Sequence, residues 1–159
     1  MKSITIDNIK LIMNLLLAGD YFDDFLLDKA SITTYNTFTI DGHIIKSYFT
    51  DEEYALLKNK ELIDWKTVKH MAYEIIKGRK TPVKFKIVLA LNPEQLDRFL
   101  QSNNLSYNIS DISGLYLNIN YENNALSCIT ATSLNTFTLD KELEHCFDDY
   151  VTKLFSSIE

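Results

Sequence analysis

The stretch "KGRKTPVKFK" concentrates positive charge, with Lys77, Arg79, Lys80, Lys84 and Lys86 in the run and no acid between Glu74 and Glu94. Ammonium and guanidinium groups this close together can hold phosphate or carboxylate oxygens through charge-assisted hydrogen bonds, so these five residues are the candidate anion or partner contact. The same cations also have structural uses. Positive charge at a helix C-terminus complements the macrodipole, and lysine on the outer face of a strand protects a sheet edge from aggregation.

The other reactive side chains form no recognisable constellation. His43, His70 and His145 lack the spacing of metal ligands, and His145 stands between Glu144 and Cys146 on a helix from which neighbouring side chains diverge. Adjacent helical residues point about 100° apart, so Asp51-Glu52-Glu53 and Asp148-Asp149 are poor shared carboxylate sites. With Asp23-Asp24, they read as helix starts and solvated faces. Ser31 and Ser133 lack a GxSxG turn, and no GxGxxG or GK[ST] loop occurs. The sequence therefore predicts no catalytic residue, no metal site and no cofactor.

The elements that must carry these residues follow from periodicity. "KSITI" reads as a strand and Asp7 as the cap of a helix with Ile9, Ile12, Met13, Leu16 and Leu17 on one side. Polar residues interrupt that apolar run, so it is a packed helix and not a signal segment. Antiparallel strands follow to Phe49, with Asp41-Gly42 predicting a two-residue hairpin between "TFTI" and "HIIKSYF". Thr50 and Glu53 form a capping box, and Trp65 to Ile76 a second connector helix. "PVKFKIVLAL" alternates like a strand buried on one face, and "NPEQ" caps the next helix with proline at its first position. "GLYLNINY" and "ALSCITAT" make a hairpin through "ENN", "LNTFTL" continues as a strand, and residues 140–155 form an amphipathic helix.

The stretches "NTFTID" (36–41) and "NTFTLD" (135–140) agree at all but one position, where Ile40 is answered by Leu139. This copy predicts an α+β single domain of two β-α-β-β-β units, 2–49 and 82–139, joined by a helical connector 50–78 and closed by the helix 140–155. Phe38 and Phe137 are then expected at equivalent core positions.

At 159 residues and 46% hydrophobic content the chain can bury a continuous core without staples. A formal net charge of −6 opposes general affinity for nucleic acid backbones or anionic lipid. Only two cysteines, Cys128 and Cys146, are present, without CxxC spacing, which fits free thiols in a reducing cytoplasm.

The repeated element order resembles the sliding-clamp fold, most of all over 83–132, where "VKFKIVLAL", "NPEQLDRFLQS" and a hairpin follow one another. That resemblance implies helices lining a hole with basic residues. Here Asp7 offsets Lys10, and Glu94 and Asp97 offset Arg98, so DNA is not the expected partner. Through "ASITTYNTFTIDGH", "IKGRKTP", "GLYLNI" and "TSLNTFT" the chain also resembles a domain-of-unknown-function family of Gram-positive bacteria, a resemblance that implies no activity. The expectation is a non-enzymatic binding or scaffold module of the bacterial cytoplasm, with a protein partner. The alternatives are an enzyme whose site is assembled from scattered polar residues, and a clamp-like protein associated with nucleic acid.

Overall fold

A computed structural model describes residues 1–58 and 60–158. Along them run β1 (Ser3–Ile6), α1 (Ile9–Leu17), β2 (Leu26–Thr33), β3 (Thr37–Asp41), α2 (Asp51–Leu56), α3 (Trp65–Ile76), β4 (Lys84–Ala90), α4 (Pro93–Ser102), β5 (Ile112–Glu122), β6 (Ala125–Leu134) and α5 (Glu142–Ser156). The α+β class is as expected, and both capping boxes form. Thr50 and Glu53 exchange bonds of 3.1 and 2.9 Å, and Asn92 and Gln95 bonds of 2.7 and 2.8 Å, with Pro93 at the first helical position. α1 is capped by Asn8, one residue beyond the expected Asp7.

The strands form one six-stranded antiparallel sheet in the order β1-β6-β5-β4-β2-β3. Alternation sends Leu27, Ala30, Ile32, Phe85, Ile87, Leu89, Leu115, Leu117, Ile119, Leu126 and Cys128 to one face. On that face they meet Ile12 and Leu16 of α1, Trp65 and Ala72 of α3, Phe99 of α4, and Phe147 and Val151 of α5 in a single apolar cluster. Phe99 lies edge-on to Phe147, and Phe22 packs against Phe155. α1, α3, α4 and α5 thus all contribute to the core on this one face.

Three side chains close this core with polar bonds that the sequence pattern did not announce. The indole N–H of buried Trp65 donates to the Leu16 carbonyl at 2.8 Å, and the Lys69 ammonium donates to the Gly19 carbonyl at 2.6 Å, so α3 satisfies the carbonyl end of α1. The fully buried Thr130 hydroxyl donates to the Asp148 carboxylate and accepts from the Lys2 N–H. Asp148 is thus bonded into the core side of α5 and is not a solvated acid.

The structure corrects the expected duplication. Both halves do run β-α-β-β, but their pairings differ: β4 lies between β5 and β2, whereas β1 touches β6 and never β2. A two-fold that exchanged the halves would map the β4–β5 ladder onto a β1–β2 ladder, which does not form. The copied hexapeptide is strand β3 in the first half and irregular in the second. Phe38 is half-buried beside β2, while Phe137 is 90% exposed, so the two are not equivalent core positions. In the first case β2 supplies a strand to pair with; in the second, Asn135 is drawn away by Asp111 and Ser110.

The hairpin at Asp41-Gly42 is likewise not formed. β2 and β3 instead join at Thr34-Tyr35-Asn36, and Gly42 begins a segment that bonds to 61–63, followed by a 3-10 turn at Lys46–Tyr48 where a strand was expected. The hairpin at Asn123-Asn124 is as expected, with both residues at positive φ as a tight two-residue turn requires.

Candidate functional site

The opposite face of the sheet gathers polar side chains in register. One row across the strands reads Thr39, Ser31, Lys86, Asn120, Ser127, Thr5; the next reads Asp41, Lys29, Val88, Asn118, Ile129, Ser3. These positions arise from the same alternation that buries Phe85 and Ile87 opposite: each strand contributes its other residues to this side.

A bulge between Leu27 and Lys29 bends β2, and beside it the face hollows into a cavity of about 390 Å³. Asp28, Lys29, Ser31, Lys86, Val88, Tyr116, Asn118 and Ala131 line it. A second hollow of about 330 Å³ shares Ser31 and Lys86 with the first and continues to Thr33, Lys84, Asn120 and Glu122. Together they make a groove along β4, apolar at its floor through Val88 and Ala131 and polar at its walls.

The side chains that line the first hollow include two cations, Lys29 and Lys86, and one carboxylate, Asp28, while Asp41 stands beside Lys29 and Glu61 acts on Tyr116 from its edge. Among the described residues neither lysine forms an ion pair, nor does Lys84, so their ammonium groups keep donors available. Burial, and then the negative charges of Asp28 and Glu61, raise the pKa of the Tyr116 hydroxyl, which like any tyrosine is a donor at neutral pH. The Asn118 amide donates to the Ile129 carbonyl at 3.0 Å and leaves its own oxygen as an acceptor. Lysine and hydroxyl donors fixed on one face of a sheet are suited to binding and orienting an anion.

The five basic residues expected to act together are split by the fold. Lys84 and Lys86 lie on the open face of β4, whereas Arg79 and Lys80 are exposed in the turn before it. Lys77 caps α3 and is engaged by Glu74 at 2.9 Å, which raises its pKa, with its ammonium also 5.5 Å from the Tyr73 ring. Lys29, Ser31, Tyr116 and Asn118 were not foreseen, because only the pairing of β2, β4 and β5 brings them beside Lys86. Alternation within each strand was the available signal; the strand order was not.

Elsewhere the reactive groups are held apart. His43 bonds Asp41 at 2.7 Å on the surface, which raises the histidine pKa and lowers that of the aspartate. Both cysteines are free, and burial pushes the Cys128 thiol up to about 12, so it is not a nucleophile. Among the described residues no group of three His, Cys, Asp or Glu side chains is placed to hold a metal ion, and no helix is long and apolar enough to cross a membrane.

Residues 15–159 match the model of a family of unknown function, DUF5721, and the chain belongs to that family. No curated protein and no solved structure matches it.

Proposed function

We propose that this family member is a non-enzymatic binding module that takes a small anionic ligand, a carboxylate or phosphate, into the groove on the open face of its sheet. The observation that supports this most is a pair of cations without ion-pair partners among the described residues: Lys29 and Lys86 share a hollow with the hydroxyls of Ser31 and Tyr116, in an otherwise acidic molecule. The volume of about 390 Å³ falls in the range of small-molecule sites. Two ammonium groups would neutralise the anion, Ser31 and the Tyr116 hydroxyl would donate to its oxygens, and Val88 and Ala131 would pack its apolar part.

Two features favour a reducing cytoplasm as the compartment: the free thiols of Cys128 and Cys146, and the absence of any demand for disulfides in a core of this size. Duplex DNA is not the partner we propose. Lys10 and Arg98 on α1 and α4 remain offset by Asp7, Glu94 and Asp97, and the net charge repels a polyanion at long range.

Equilibrium dialysis with citrate and with glucose 6-phosphate as probes tests the proposal. Reversing both lysines, Lys29→Glu with Lys86→Glu, should weaken binding by about a hundredfold or more, since each lost charge-assisted contact is worth roughly 1.5 to 3 kcal/mol. The unfolding midpoint should stay close to the parent's, because both side chains are exposed. Reversing Arg79 and Lys80 should change affinity far less. Binding of neither probe by the parent protein, or loss of binding only on the Arg79 and Lys80 reversal, would contradict the assignment.

A further inference from the structure

The copied hexapeptide has no role in the proposed groove, yet the two copies occupy complementary situations. The first copy is β3, the last strand of the sheet on its side. The second, 135–140, is an arm between β6 and α5, with Phe137 90% and Leu139 83% exposed. We propose that the arm of one molecule adds as a further strand to the free edge of β3 in a second copy of this chain.

The backbone of β3 is suited to accept it. Thr34 N–H donates to the Asn36 carbonyl and Gly42 N–H to the Asp28 carbonyl, both at 2.9 Å. These bonds fix the alternation of the ladder: Phe38 and Ile40 turn their backbone groups towards β2, and Thr37 and Thr39 turn theirs towards the open edge. An unpaired edge of this kind is a template for another extended segment.

The arm carries the matching side-chain pattern. In β3, Phe38 and Ile40 lie on the apolar side of the sheet and Thr37, Thr39 and Asp41 on the polar side. A strand seated next to it must continue both faces, which Phe137 and Leu139 against Thr136, Thr138 and Asp140 would do. Docking would thereby cover two large apolar side chains that the single molecule leaves in water.

The recipient must be another molecule. In the sheet order, β6 and β3 are separated by β5, β4 and β2, four strand spacings or roughly 19 Å. The arm is also tied at both ends. Asn135 N–H donates to the Asp111 carbonyl at 2.9 Å, and the Tyr107 hydroxyl donates to the Asp140 carboxylate at 3.2 Å. One strand addition buries less than a standard interface, so a two-fold pair that exchanges both arms, with a dissociation constant on the order of 100 µM, is the expected form.

Sedimentation from about 10 µM to about 1 mM, with amide hydrogen exchange at both ends of the range, tests this. The parent protein should pass from monomer to dimer, and exchange at the Thr37 and Thr39 amides should slow by about fourfold as it does, following the fall in the monomer fraction. The double substitution Phe137→Asp with Leu139→Asp should remain monomeric with an unchanged unfolding midpoint, since both residues are exposed. A monomer at every concentration would overturn the proposal. So would a dimer that survives the double substitution, or one that leaves the Thr37 and Thr39 amides unprotected. None of these outcomes bears on anion binding at Lys29 and Lys86, which lie on the face of the sheet and away from this edge.

Discussion

Replacing Gly42 with alanine is expected to cost about 4 kcal/mol or more of stability, a large part of the roughly 5 to 15 kcal/mol that holds a domain together. A Cβ at this position would lie 1.7 Å from the Leu27 carbonyl oxygen and 2.5 Å from its carbon, both backbone atoms. Neither can retreat cheaply. Leu27 N–H donates to the Ile63 carbonyl at 2.8 Å, Ile63 N–H to the Gly42 carbonyl at 2.8 Å, and Gly42 N–H to the Asp28 carbonyl at 2.9 Å. A shift that relieves the clash breaks this ring of bonds and moves the fully buried Leu27 side chain. Glycine is required here by close approach, since its φ is not positive. Gly78→Ala is the internal control: nothing lies within 4 Å of its added Cβ, so it should be neutral or slightly stabilising. Urea denaturation that finds the two substitutions alike would contradict this account of the β2 bulge, and with it the shape of the hollow beside Asp28 and Lys29.

The second large effect is expected at Trp65. Truncation to alanine empties a fully buried site and should cost about 3 to 5 kcal/mol. The more informative change is Trp65→Phe, which keeps much of the apolar volume but removes the indole N–H that donates to the Leu16 carbonyl. That carbonyl belongs to the last turn of α1, where no helical partner exists for it. Leaving it buried and unpaired should cost roughly 1 to 3 kcal/mol beyond the packing loss. A Trp65→Phe protein as stable as its parent would show that α1 does not depend on α3 for its C-terminal satisfaction.

What the sequence conveyed and what it withheld divide along the range of the interactions. The capping boxes at Thr50 and Asn92 were legible because each is completed within four residues, and the stripe on α5 and the alternation of β4 because periodicity is local. The Asp41-Gly42 pair misled because it has the composition of a hairpin turn, while the glycine answers to Leu27, a contact that only the fold creates. The two NTFT segments misled for a related reason: identical local preference gave a strand beside β2 and an irregular arm beside Asp111. Of the candidate site, Lys84 and Lys86 do lie on the outer face of a strand, but β4 is an inner strand between β2 and β5, so they guard no sheet edge. Their companions Lys29, Ser31 and Asn118 come from two other strands, and nothing in linear spacing places them there.

The central claim, that the open face of the sheet is the binding surface, is tested most directly by titrating isotope-labelled protein with citrate and following its backbone amides by NMR. The account predicts saturable shifts clustered at Ser31, Lys86, Val88 and Asn118, with the amides of α1, α4 and α5 unmoved. Shifts centred on Arg79 and Lys80, spread over the helices, or absent at millimolar citrate would contradict it.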